Sequence, residues 1–323
     1  MNTKLFFVIP VHNEEGNLNR CINSLYSSIK NIKCKFNTFI CLNDCSDSSY
    51  KIAVNCKGRY RILNIQILES KKGKFNAQKT AIKKIPRNSP IFFIDADIIL
   101  KKDSIEILIK ELDKHPDLIA VGSFPVARDY KGKKIWKIFL DKVLNIRSRH
   151  PQCEISLLEV NDYHPYSISD PQHKNASPEH ELKSKIFFHG RAFVLRSKKY
   201  WSIPKSEQIV GDDSFIPDYI TFNYGKGRIR NRYDSIVYYN PFISITKHFK
   251  VYKRIYFDLK NLREKYPKFK NIRDHSQLIL DKNYIKKQNV STKILFFLYS
   301  FIRKIETLLY KCSKNTNPAD IWK

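Results

Sequence analysis

The sequence predicts an α/β protein built on a doubly wound, mostly parallel sheet, and two observations lead there. Over about the first 125 residues, short apolar runs of strand length alternate with segments of helical period, the pattern of successive βα units. Each of the first four runs also ends in polar residues, and in such sheets ligands bind just outside the carboxyl ends of the strands.

The strands come first. "LFFVIPV", "FNTFICL", "ILNIQIL", "PIFFID" and "LIAVGSF" read as buried strands. Between them, Leu18, Cys21, Ile22, Leu25 and Ile29 mark one face of a helix, with Asn13, Glu14 and Glu15 suited to its start. Asp103 is placed to cap a helix with the face Ile105, Leu108, Ile109 and Leu112, which "KHPD" ends. After Val126 the pattern changes. Lys134 to Ile146 is amphipathic with lysines on its flanks, and Arg147 to Lys185, rich in His, Pro, Ser and Asp, reads as a long loop or lid. Order returns with "KIFFHGRAFVLRS", "QIVGDDSFIPDYITFNYG" and "DSIVYYNPFISITKHF". No internal repeat or low-complexity tract is present.

Composition narrows the function classes. With 42% hydrophobic residues in 323, the chain can bury a substantial core. Fifty-nine basic against 31 acidic residues give a net charge of +28, and residues 247–323 alone carry 19 Lys/Arg against 6 Asp/Glu. Such an excess calls for an anionic partner: nucleic acid, nucleotide phosphates or an anionic membrane surface. Seven cysteines without a CxxC pair predict free thiols in a reducing compartment. "MNTKLFFVIPV" lacks the pattern of a signal peptide, and the apolar stretch Ile294 to Ile302 is about half of the roughly 20 residues a spanning helix needs, so no transmembrane helix is expected.

The end of the fourth strand, "FFIDADIIL", is the most specific feature. Asp95 and Asp97, two residues apart, project to the same side and repel unless a cation lies between them. A hard divalent ion, Mg²⁺ or Mn²⁺, meets that need, whereas the plainer reading is a pair of solvated turn carboxylates.

"FFVIPVHNEEGNLNRCINSL", "LNDCSDSS", "GKFNAQKTAI" and "FFIDADIIL", in this order, resemble the nucleotide-sugar-binding half of a family 2 glycosyltransferase of the GT-A, Rossmann-like fold. "HGRAFVLRS" resembles the acceptor-side segment of that family, and "IVGDDSFIPDYI" its acidic motif. The resemblance reaches to about Arg254, with the loop from Arg147 to Lys185 outside it. It implies that residues 1–125 bind the nucleotide-sugar, that 126–250 form the acceptor half with the lid at about 147–185, and that 251–323 are a basic amphipathic helical extension. It further implies that Pro10, Val11, His12, Asn13 and Glu15 line the nucleotide, with Asp44 near the base, Lys74 near the base or diphosphate and Asp95 near the ribose. Asp97 would ligate the metal of the DXD motif, with Asp95 beside it; Asp213 would be the general base and Asp212 its support. His248, and less strongly His189, follow apolar strands and are candidates for a further metal or phosphate ligand; the plainer reading is a hydrogen-bonded histidine at a strand end. His164, His173 and His180 are too irregularly spaced for a zinc site.

Two departures from the family pattern stand out. Lys79 occupies a place where the family usually has asparagine, and "KHFKVYKRIYF", with Arg254 followed by Ile255, lacks the QxxRW-like motif of processive members. The resemblance therefore implies a metal-dependent, inverting hexosyltransferase that adds one or a few sugars to an acceptor hydroxyl, on a lipid-linked or cell-envelope glycan. A nucleotidyltransferase is the first alternative, but "PVHNEEGN" lacks its glycine-rich loop; the second is a non-catalytic basic protein binding RNA or membrane, which needs neither "DAD" nor "GDD".

In the tail, "TKHFKVYKRIYFDLKNLREKYPKFKNIR" and "TKILFFLYSFIRKIETLLYK" interleave rings with cations. Single-stranded nucleic acid suits that composition, but the spacing is helical and no nucleic-acid module is visible. The expectation is a cytoplasmic protein, peripheral on the inner face of the membrane; a helix merely packed on the catalytic domain is the plainer alternative.

Overall fold

The computed structural model describes residues 4–150, 153–156, 188–205, 211–269, 272 and 278–312. The histidines 164, 173 and 180, and all of the proposed lid except 147–150 and 153–156, lie outside the described residues. Two compact units divide the chain: Met1–Pro125 with Pro165–Tyr239, and Val126–His164 with Asn240–Lys323.

The first unit holds an eight-stranded sheet. Its strands are β1 (Lys4–Val11), β2 (Lys35–Asn43), β3 (Ile65–Ser70), β4 (Ile91–Ile94), β5 (Ile98–Leu100), β6 (Ala120–Ala127), β8 (Ala192–Leu195) and β9 (Ile229–Tyr239). They lie in the order β3-β2-β1-β4-β8-β6-β9-β5. β1, β2, β3 and β4 pair in parallel, as continuous apolar runs joined by helices must. β8 lies antiparallel to both β4 and β6, so the five runs predicted from the sequence all point one way around one reversed strand. The core is unusually rich in phenylalanine: Phe7 meets Phe92 across β1 and β4 with ring centroids 5.1 Å apart, and Phe93 stacks on Phe193 at 4.8 Å, fastening β4 to β8. Each such fully buried side chain contributes about 1.5–3 kcal/mol.

Helices α1 (Leu18–Ile29), α2 (Ser49–Arg59), α3 (Lys74–Ile82), α4 (Ser104–Lys114) and α7 (Asp212–Tyr224) complete this unit. The five residues expected on the inner face of α1 are all fully buried. Two expectations about helix starts are corrected. Asn13 and Glu15 do not begin α1, since Asn13 is left-handed (φ 54°) and accepts from the Ser46 amide of the next loop, whereas Glu14 does lead into it, its carbonyl accepting from the Leu18 amide (2.9 Å) and its carboxylate from the N-cap Asn17 (2.7 Å). Asp103 precedes α4 but makes no side-chain cap bond, its carboxylate facing Lys101 Nζ at 3.1 Å instead.

The second unit contains α5 (Ile135–Leu144), α6 (Ile146–Arg149), α8 (Ile245–Lys265), α9 (Lys282–Lys286) and α10 (Val290–Cys312), with a short ladder between β7 (Glu154–Ser156) and β10 (Leu278–Leu280). Val143, Ile146, Cys153, Phe296 and Tyr299 form its apolar centre. Beside it, His248 Nδ1 meets Glu306 Oε1 at 2.7 Å, and Arg303 joins the same carboxylate while lying 3.2 Å over the Tyr252 ring. All seven cysteines are free thiols.

Candidate active site

Parallel pairing brings the ends of β1 and β2 together. Asn43, at the end of β2, donates to the Val11 carbonyl (2.7 Å) and accepts from the Gly73 amide (3.2 Å), so one buried amide ties three successive strand-end loops. Gly73 there has φ +115°, a conformation that glycine adopts at no steric cost. His12 Nδ1 lies 2.7 Å from the Asn43 carbonyl oxygen. Glu15 accepts from the Ser48 amide and its own amide donates to Asp47. The result is a wall in which His12, Asn13, Glu15 and Asp44 are exposed and Pro10 is half-buried. Val11 differs: its side chain is fully buried and its carbonyl is occupied, so it supports the wall without facing outward.

The next strand supplies charge. β4 ends at Ile94, and Asp95-Ala96-Asp97 turn the chain into β5, with Ala96 buried between the two carboxylates. Because β8 runs antiparallel to β4, the residues just before it, Gly190 and Arg191, arrive beside that turn: the Asp95 amide donates to the Arg191 carbonyl (2.8 Å). Arg191 reaches Asp97 Oδ2 at 3.3 Å and lies 4.1 Å over the Tyr239 ring. Lys74, at the start of α3, lies 2.6 Å from Asp95 and 2.8 Å from Asp212. The repulsion between the paired carboxylates expected from the sequence is thus met in part by the chain's own cations, one for each aspartate.

Asp212 and Asp213 open α7, where the helix dipole favours negative charge. Their environments differ. The side chain of Asp212 is 2% exposed, held by Lys74 on Oδ1 and by Gln78 on Oδ2 at 2.7 Å, and it accepts from the Asp213 amide. Asp213 is exposed. Gln78 is fixed in turn by the Trp201 indole, 3.2 Å from its Oε1. Gly190 allows this approach, since a Cβ there would lie 2.8 Å from both Asp212 Oδ1 and Asp213 Cβ.

The cluster sets its own protonation. Burial pushes the Asp95 carboxyl up to about 7, against the pull of Lys74, with Asp212 and Asp97 adding to the rise. Burial also raises Asp212. For Lys74 burial acts the other way, but Asp212 and Asp95 outweigh it and hold the ammonium well above the ordinary lysine value.

Metal-holding capacity follows from the donor set. Among the described residues, no group of three or more His, Cys, Asp or Glu side chains is placed to hold an ion on protein donors alone. A hard divalent ion that takes one or two carboxylates and draws its remaining oxygens from a diphosphate and water fits. Asp97, with its side chain 39% exposed, offers such a donor, and Asp95 stands next to it. His248 has a different partner: it sits in the second unit, 1% exposed and bonded to Glu306. His189 is half-buried, its ring edge-on to Phe124 at 5.6 Å.

A model of glycosyl transferase family 2 matches residues 6–170, just over half of the chain. This chain belongs to glycosyl transferase family 2. Its mostly parallel sheet is the GT-A arrangement, and the mannosyltransferase PcManGT from Pyrobaculum calidifontis, solved with GDP-Man and Mn²⁺, shares the fold with a TM-score of 0.54 and 14% identity, over 98% of this chain and 78% of that one. TarS from S. aureus is 15% identical over 78% of this chain with a TM-score of 0.47, and this chain spans 39% of its length. Glucosyl-3-phosphoglycerate synthase from Mycobacterium tuberculosis, solved with Mg²⁺ and UDP, is 12% identical over 79% of this chain and 78% of that one, with a TM-score of 0.44. Comparison with curated protein sequences found no match.

Sequence reasoning missed Arg191, Gln78, Asn43 and Trp201 as members of this family 2 site. Gln78 had a signal: it stands one helical turn after Lys74, so both reach the same side of α3. Arg191 stood inside the quoted segment "HGRAFVLRS", but its pairing had no signal, because only the reversed direction of β8 puts it beside Asp97.

Proposed function

We propose that this family 2 protein moves a sugar from a nucleotide donor to an acceptor hydroxyl with inversion, one or a few sugars at a time. The observation that carries the reading is the unequal treatment of two adjacent aspartates: Asp212 is buried and fully bonded, and Asp213 is left open at the N-terminus of α7, within the same cluster as Lys74 and Asp95. An open carboxylate beside a locked one suits a general base, which must reach a hydroxyl proton while its backbone stays fixed. The wall from Pro10 to Glu15 with Asp44 is assigned to the nucleotide, and Asp95 and Asp97 to the diphosphate side. A Mg²⁺ or Mn²⁺ ion held there with Asp97 and Asp95 would supply charge stabilisation to the leaving diphosphate. Lys74 adds positive charge next to Asp95, and Arg191 fixes the direction of Asp97. Asp213 takes the acceptor proton as the hydroxyl attacks from the face opposite the leaving group, which inverts the anomeric carbon.

Among the neighbours, PcManGT is solved with GDP-Man and glucosyl-3-phosphoglycerate synthase with UDP. We assign the acceptor to a lipid-linked or cell-envelope glycan and the protein to the inner membrane face, on the strength of its basic second unit; among the described residues, no helix is long and apolar enough to cross a membrane. The test is a thermal-shift and turnover screen across UDP-, GDP-, CMP- and dTDP-linked sugars with Mn²⁺. Asp213→Asn is expected to keep donor binding and lose transfer, and Asp97→Ala to lose metal-dependent binding. Failure of the wild type to bind any nucleoside diphosphate would refute the proposal.

A further inference from the structure

We infer that one long face of α10 is the surface on which the protein lies against an anionic lipid bilayer; this rests on the membrane-peripheral reading above and assigns it to named residues. Val290, Ile294, Phe297, Phe301, Ile305 and Leu308 recur at spacings of three and four, so they share one side of the helix. That side is exposed, Phe297 by 70%, Phe301 by 55% and Leu308 by 61%. The inward residues are different ones: Phe296, Tyr299 and Glu306 are buried. The helix thus has two apolar sides, and the core of the unit uses one. A contiguous exposed apolar stripe marks a surface that meets something other than water.

Charge decides what it meets. The exposed ionic residues of α10 are Lys293, Lys304 and Lys311, and its one acidic residue, Glu306, is buried against His248 and Arg303. A second copy laid on this stripe would set lysines against lysines, with no exposed carboxylate on either helix to offset them. An anionic bilayer offers headgroup phosphates to the ammonium groups and acyl chains to the rings. The same composition recurs on α5, in the same unit: Ile135, Trp136 and Phe139 are exposed beside Lys133, Lys134 and Lys142, and its acid, Asp141, is buried on Arg149. Tryptophan favours the boundary between headgroups and acyl chains. By contrast α8, whose rings the sequence marks for lipid, turns Tyr252 and Tyr256 onto Arg303. At 23 residues α10 is about 35 Å long but is not apolar enough to cross a membrane, so its stripe is assigned to a surface it lies along rather than through.

The experiment is co-sedimentation of the full chain with vesicles of phosphatidylcholine alone and of phosphatidylcholine mixed with phosphatidylglycerol. Wild type is expected to bind the mixed vesicles and to leave the neutral ones. Phe297→Ser/Phe301→Ser/Leu308→Ser, and separately Lys293→Glu/Lys304→Glu/Lys311→Glu, should each lower partitioning at least about tenfold, the effect of losing a single fully inserted side chain or more. Wild-type partitioning by either variant, or equal binding to neutral vesicles, would overturn the inference. So would a wild-type dimer that the serine variant converts to monomer, because the occupant would then be a second copy. Nucleoside diphosphate thermal shifts run in parallel: kept by both variants, they show intact folding, and their absence in the wild type would count against the proposed transfer, leaving vesicle binding to be judged separately.

Discussion

Replacing Lys74 by methionine tests the charge logic of the site. Its ammonium is the shared partner of Asp95 and Asp212, at 2.6 and 2.8 Å, and the Asp212 side chain is 2% exposed. Methionine keeps most of the volume and removes the charge, leaving two neighbouring carboxylates without their cation. Breaking a buried pair from one side costs about 3–5 kcal/mol, and that is the expected loss of unfolding free energy at pH 8. A carboxyl that takes up a proton no longer needs the ammonium. Burial already raises both aspartates, so they bind protons more tightly folded than unfolded. The variant should therefore regain stability as pH falls, and the cost at pH 5 should be clearly smaller than at pH 8. Adding Asp212→Asn should restore part of the loss, a coupling of about 0.5–3 kcal/mol. The assay is urea denaturation of the four proteins of the cycle at both pH values. A loss below about 1 kcal/mol at pH 8, the range of an exposed pair, would refute the reasoning.

Three further outcomes are expected. Gly190→Ala places a methyl 2.8 Å from Asp212 Oδ1 and Asp213 Cβ; transfer should fall about a hundredfold while nucleotide thermal shifts persist, since misplacement by about 1 Å is that costly. Glu111 is buried among Arg230 and Arg232, and although burial opposes it, the arginines hold its carboxyl below the ordinary glutamate value. Its contribution is present above the unfolded value of about 4.3 and lost as pH falls through the folded one, so Glu111→Gln should cost about 3–5 kcal/mol at pH 7 and flatten the acid limb of a pH-dependent denaturation series. With Ellman's reagent on the native protein, exposed Cys312 should react first and half-buried Cys34 and Cys45 next, whereas Cys21, Cys41 and Cys153 stay protected until unfolding, because burial hides them and pushes the Cys41 thiol up to about 12.

How much of this was legible in the sequence depended on whether a feature is local. The strands β1 to β4 and the buried face of α1 were readable because apolar periodicity is a property of neighbours in the chain. Asp95, Asp97, Asp212 and Asp213 stood out as acidic residues at the ends of apolar runs. Their pairings did not: Lys74, itself a sequence candidate, meets Asp212 across 138 residues of chain, and Arg191 meets Asp97 across 94. Such pairs are created by strand order and direction, which periodicity does not encode. The α8 stretch shows the same limit: its alternating rings and cations suit lipid or a cation–π partner equally, and that Tyr252 and Tyr256 lie against Arg303 depends on a residue about fifty positions away.

The reversed strand β8 also imposes an order in time. The wall from Pro10 to Asp44 is built from segments that are complete once β2 has been made, and β4 follows soon after. Arg191, Gly190 and Asp212 arrive about a hundred residues later, after the chain has left the first unit at Val126 and come back to it. Until then Asp95 has Lys74 but neither Arg191 nor Asp212 beside it, and Asp97 lacks its arginine. A nascent chain emerging N-terminus first therefore carries an unbalanced acidic turn on an incomplete sheet edge, and its final closure must await a long-range pairing, the slow kind of folding event.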